Sequence, residues 1–160
     1  MKKIGFVRVI LIGVVYAVVG IGFGEIANLG SSDRVRFMWR LGAWVASGAV
    51  YAAHLWYEYF RLRNSPRATS LNAGLAVALG GLFLAVAALT HALTVPTHAP
   101  FRLYFLAIAL WPIFTGVPAF VVTLVLTSIL RLAIRANRKE DKRMSDIRKL
   151  KHVGHRKEQS

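Results

Sequence analysis

The sequence predicts an all-α, polytopic membrane protein, a four-transmembrane-helix bundle with a basic cytoplasmic C-terminal tail. Three observations lead there. Hydrophobic residues are 56% of the 160 residues, above the roughly 45–50% of soluble domains, and mean hydropathy is +0.49. This apolar excess is gathered into four blocks, at 6–28, 38–60, 71–94 and 103–131, each close to the ~20 residues that cross a hydrocarbon core. Basic residues collect on one side of those blocks. Lys2, Lys3 and Arg8 flank the first; Arg61, Arg63 and Arg67 separate the second and third; eleven Lys/Arg lie from Arg131 onward. The positive-inside rule then puts both termini and the 61–70 loop in the cytoplasm. The expected location is the cytoplasmic (inner) membrane of a bacterial-type cell, multi-pass and N-in/C-in.

The first block opens on MKKIGFVRVILIGVVYAVVG, a basic front and apolar run like those of signal peptides. Arg8 interrupts the run and no A-x-A-like site follows, so the block reads as a retained helix. Its small residues, Gly13, Ala17, Gly20, Gly24 and Ala27, recur at three- and four-residue steps and include the GxxxG of 20-GIGFG-24. Lipid tails are as apolar as leucine, so membrane helices associate through close backbone approach, which such seams permit. The third block repeats the pattern with Gly74, Ala78, Gly81, Ala85, Ala88 and Ala92.

The second block is chemically different. Arg40, Trp44, Ser47, Tyr51, His54 and Glu58 are spaced four, three, four, three and four residues apart, which places them on one helix face. Ionisable groups within a span turn toward protein or a water-filled cavity, so this stripe is expected to look into the bundle. Gly42, Ala46, Ala49 and Ala53 form a small neighbouring face. If the first two helices make a hairpin about Asp33, Glu25 falls level with Arg40 and Arg8 with Glu58. Two ion pairs clipping the hairpin are therefore expected, with Arg61 as another partner for Glu58 one turn away.

The fourth block carries 111-WPIFTGVPAF-120. Pro112 and Pro118 each remove a backbone donor. With Thr115 and Gly116 between them, a kinked or partly unwound midpoint is expected, an element that transporters use for binding. The tail beyond, residues 131–160, has eleven Lys/Arg and four Asp/Glu. Juxtamembrane basic segments are drawn to anionic lipid headgroups by about 1 kcal/mol per residue, so headgroup contact accounts for it. No nucleic-acid-binding motif accompanies the net charge of +14, and nucleic acid is not expected as a partner.

Function classes narrow by chemistry. The absence of cysteine excludes thiolate catalysis and thiolate-held clusters. No HExxH, Gly-rich phosphate loop or intramembrane lysine is present, and Ser47 is too far from His54, about 10 Å along the helix, for a nucleophile and its base. Paired haem ligation by His54 and His91 is unfavourable. They stand about 12 Å and 30 Å above the cytoplasmic ends of their helices, and a His91–His98 pair near the outer surface is weak because His98 sits in the turn 95-VPTHAP-100. No catalytic residue, metal or cofactor is expected. The sequence points to a non-enzymatic accessory or self-assembling membrane component, assembled as a homo-oligomer or with a partner membrane subunit. The alternatives are a small proton-coupled transporter or channel using intramembrane Glu and His, and a haem-binding membrane subunit.

Overall fold

The computed structural model of the chain describes residues 3–94 and 100–157; His98, and with it the His91–His98 pair, lies outside the described residues. The elements in chain order are α1 (Lys3–Asn28), α2 (Asp33–Trp56), a single π-helical turn (Tyr57–Arg61), α3 (Pro66–Thr94) and α4 (Phe101–Lys157). No strand occurs among the described residues.

Local chemistry explains the boundaries. After α1, Gly30 N–H donates to the Ala27 carbonyl, and Arg36 Nε reaches back to the Gly30 carbonyl at 3.2 Å. Ser32, extended at φ −140°, caps α2 by accepting from Val35 N–H; such a cap satisfies one orphan donor of the first turn. Asp33 in that turn complements the helix dipole and lies 3.6 Å from Arg36. Ser65 precedes α3, its hydroxyl accepting from Ala68 N–H at 3.3 Å. Pro66 then occupies the first helical position, where a missing N–H costs nothing.

Among the described residues three helices are long and apolar enough to span a membrane: Phe6–Asn28, Pro66–Thr94 and Phe101–Glu140. The helix α2 is not among them. It starts at Asp33 rather than near 38, so Asp33, Arg34, Arg36 and Arg40 dilute its first turns, and regular α-helix ends at Trp56.

The fourth helix departs from expectation twice. The segment around Pro112, Thr115, Gly116 and Pro118 stays helical instead of unwinding; each proline deletes one backbone bond, which neighbouring turns tolerate. The helix also runs on through the basic segment to Lys157. Neither glycine nor proline occurs between Pro118 and Gly154, and Arg, Lys, Leu, Ala and Glu are strong helix formers.

The chain divides into two units, Met1–Leu124 and Val125–Ser160. The second is the C-terminal part of α4, with every side chain from Arg131 to Glu140 exposed. In the first unit α1 packs on both α3 and α2. Val9, Tyr16 and Ala76 form the buried centre, surrounded by Ile12, Val50, Tyr51, Val77 and Leu79.

The small residues are divided between faces. A Cβ on Gly13 would stand 2.8 Å from Leu79 Cβ and 3.2 Å from the Ala76 carbonyl oxygen; one on Gly80 would stand 2.6 Å from Tyr16 Cβ. The α1–α3 approach therefore runs through Gly13 and Gly80. The predicted α3 seam faces elsewhere. A Cβ on Gly74 would meet Phe120 and the Gly116 carbonyl, one on Gly81 would meet Thr115 and Trp111, and one on Gly116 would lie 2.7 Å from Ala78 Cβ. Thus Gly74, Ala78 and Gly81 receive α4. Ala17, Ala85 and Ala92 are buried, Gly20 meets Leu84, and Gly24 has open space beside it.

Candidate functional site: a buried carboxylate cluster beside an open groove

The polar residues of α2 do not face inward uniformly. Arg40 and Trp44 are exposed, Ser47 and Tyr51 half-buried, and His54 and Glu58 buried. At its N-terminal end α2 meets α1 through Gly42 against the Phe23 ring. Nearer its C-terminal end the stripe is captured by other helices. Tyr51 Oη donates to the Ala119 carbonyl of α4 at 2.8 Å and also contacts the Thr123 hydroxyl. Thr123 in turn donates to the Ala119 carbonyl, so two hydroxyls converge on one carbonyl.

Glu58 is only 4% exposed and sits in the π-helical turn. A π turn inserts one residue into the helical repeat, and such bulges concentrate at special sites. Here the turn leads into a tight loop in which Arg63 adopts φ 51°, a left-handed conformation uncommon outside glycine. The loop brings Asn64 Nδ2 to Glu58 Oε2, and Asn72 Nδ2 of α3 donates to the same oxygen at 3.1 Å. His54 Nε2 lies 4.0 Å from Oε1. The carboxylate thus gathers the end of α2, the connecting loop and the start of α3. Thr69 and Ser70, in the first turns of α3 before Asn72, are buried, Ser70 donating to the Pro66 carbonyl at 2.7 Å.

The expected hairpin clips are not formed. Among the described residues Asp33 and Arg36 form an ion pair and the His54 ring lies 4.0 Å from Glu58; Glu25 is not brought to Arg40, nor Arg8 to Glu58. Matching depth is not matching rotation. Glu25 and Arg40 are both exposed, and Glu58 is turned toward α3 rather than toward α1. Arg61, the other candidate, is also exposed. Sequence reasoning missed Asn64 and Asn72. Their signal was available: two amides flank a buried acid, one in the short loop and one in the first turns of the next helix.

Beside this cluster a groove of about 410 Å³ opens between the helices, lined by residues of α1, α2, α3 and α4 that include Trp44, Ser47, Tyr51 and Thr115. Neither His54 nor Glu58 lines it. Thr115 Oγ1 donates to the Trp111 carbonyl at 2.9 Å. A second groove of about 330 Å³ runs along Gly74, Ala78, Pro112 and Gly116, where the expected helix break meets α3. No group of three or more metal-ligating side chains occurs among the described residues. Among the described residues, buried side-chain polar atoms without a hydrogen-bond partner are Tyr16 Oη, His54 Nδ1 and Thr69 Oγ1.

Comparison of the chain with protein-family models, with curated proteins and with solved structures finds no match in any of the three.

Proposed function

We propose that this chain is a small integral membrane bundle protein acting as a non-enzymatic accessory or self-assembling component of the cytoplasmic membrane. The observation that carries this reading is the closure of the ionisable cluster. His54 and Glu58 are 7% and 4% exposed, Glu58 is held by Asn64 of the connecting loop and Asn72 of α3, and neither residue lines the open groove. Ionisable groups that move protons or substrate across a membrane need access to water; here Glu58 instead joins the connecting loop and α3 to the end of α2.

In this reading α2 and its π turn form a fourth span, about 43 Å long at 1.5 Å per residue. The bonds from Tyr51 to α4 and from Glu58 to α3 compensate for its lower hydropathy. Both termini and the 61–70 loop face the cytoplasm, where basic residues concentrate, and the basic end of α4 meets anionic headgroups. A long row of apolar side chains on α4, among them Phe105, Phe114, Val121 and Val125, is exposed and is available to lipid, a second copy or a partner subunit.

A second reading, a small proton-coupled transporter, draws on one observation. His54 Nδ1 is buried without a partner, a position where an imidazole can take up a proton. The deciding experiment is the native mass of the tagged protein, extracted from its own host in mild detergent, with an absorption spectrum of the same sample. Foreign polypeptides at fixed ratio, or a homo-oligomer inactive in proton-flux assays, support the accessory reading. Proton-coupled flux that fails in His54→Ala and Glu58→Gln overturns it. A Soret band would overturn it in favour of haem.

A further inference from the structure

Helix α2 falls short of a membrane span by composition, but composition counts every residue and a bilayer meets only those that face outward. Between Arg40 and Arg61 the sequence holds one acid and one histidine, Glu58 and His54, and both are buried. The polar Ser47 and Tyr51 are half-buried and line the groove. Every exposed residue from 41 to 60 is glycine, apolar or aromatic. These residues recur at three- and four-residue steps, as Leu41, Val45, Ala49, Ala52, Trp56 and Phe60 show, and so form one continuous face.

The face ends abruptly on both sides. Asp33, Arg34, Arg36 and Arg40 are exposed before it, Arg61 and Arg63 after it. The twenty residues between Arg40 and Arg61 make about 30 Å of helix, the thickness of a hydrocarbon core. Within a turn or so of each arginine stands an exposed tryptophan, Trp44 at 79% and Trp56 at 62%, the second with the Phe60 ring 6.4 Å away. Tryptophan collects at both membrane–water boundaries. Arginine there lays its stem along acyl chains and lifts its guanidinium to the phosphates. In water the same face would be an apolar patch of a kind that soluble monomers rarely present.

We infer that residues 41–60 present this face to lipid acyl chains, with Arg40 and Arg61 at the phosphate layers of the two leaflets. The inference rests on the reading of α2 as a fourth span and deepens it by naming the face, its limits and its partner. Residues 33–39 then lie outside the hydrocarbon, and Glu58 sits within one turn of the inner phosphate layer.

The chain has no cysteine, so single cysteines can be spin-labelled one at a time in the full-length protein. The protein is extracted from its own host in mild detergent and placed, with any bound partner, in phosphatidylcholine–phosphatidylglycerol nanodiscs. Collision of each label with oxygen, which concentrates among acyl chains, is compared with collision with a water-soluble nickel chelate. In Val45→Cys, Ala49→Cys and Ala52→Cys oxygen is expected to win several-fold, most at the last two, with mobile spectra. In Phe37→Cys and Arg63→Cys the order should reverse. Nickel matching or exceeding oxygen at positions 49 and 52 overturns the inference together with the fourth span. Low collision with both reagents and a motionally restricted spectrum there overturns the lipid partner alone. The span would stand, and the small residues Gly48 and Ala52 would be a seam for another helix. An oxygen preference that extends to position 37 overturns the limit at Arg40.

Discussion

Helix α1 and helix α2 are held to the same bundle by opposite means. The first docks on α3 with almost no polar chemistry, the Gly13 and Gly80 backbones coming so close that neither tolerates a Cβ without movement. The second is tied by side chains that cross to other helices, Tyr51 to α4 and Glu58 to α3. The difference follows from composition. A helix as apolar as α1 gains little by leaving lipid and depends on van der Waals contact at short range. A segment carrying Tyr51 and Glu58 must satisfy those polar groups where they are enclosed, and those bonds then serve as its attachments.

If this contrast is right, steric change should be the most damaging on α1–α3. Gly80→Val would drive a side chain into Tyr16, already 2.6 Å from an added Cβ. We expect a loss of about 3 kcal/mol or more, the upper range for overpacking, read as lost folded yield and lowered melting temperature in detergent. Gly24→Val is the matched control, with nothing within 4 Å of its Cβ, and should change little. Equal damage at both positions would break the comparison, because glycine content rather than close approach would then be at stake.

Next in size is the polar attachment. Glu58→Ala strands the amides of Asn64 and Asn72, and hydrogen bonds to a charged group are worth about 1.5–3 kcal/mol; a destabilisation of that order is expected in thermal melts. Glu58→Gln retains an acceptor oxygen and should lose about half as much. Were the two variants alike, the carboxylate would be acting by charge rather than by its amide contacts. Tyr51→Phe should cost about 1 kcal/mol, measured the same way, since Thr123 keeps its own bond to the Ala119 carbonyl.

The smallest effect sharpens the picture by its absence. The exchange of Glu25→Arg with Arg40→Glu should be additive with the single changes within about 0.5 kcal/mol, as for uncoupled sites. Rescue of a defective single variant by the double would restore the hairpin clip and count against the geometry described above.

Much of the architecture was legible along the chain because it is written in local pattern. Apolar blocks gave four helices, spacing put Ser47, Tyr51, His54 and Glu58 on one face, and glycine steps marked where backbones can meet. The partners were less accessible. Level-matching set Glu58 beside Arg8 by depth, yet the acid keeps to the side of His54 and meets Asn72 of α3, and depth along a helix does not fix which neighbour its face meets. Likewise Gly74, Ala78 and Gly81 were recognisable as a docking seam, but nothing in their spacing said that α4 would occupy it while Ala76 and Gly80 received α1.

The sequence by itself determined that the chain is helical, that it has helices apolar enough for a bilayer, and that its charge is concentrated at its ends and in one loop. Those properties depend on composition and on periods of three to four residues, which each segment carries alone. Tertiary structure decided that Asn64 and Asn72 hold Glu58, that the expected ion pairs stay apart, and that Tyr16 packs into the buried α1–α3 contact against Gly80. Each depends on the rotation of one helix against another. That rotation is set by the sum of many weak contacts across the bundle, not by any residue's neighbours in the chain.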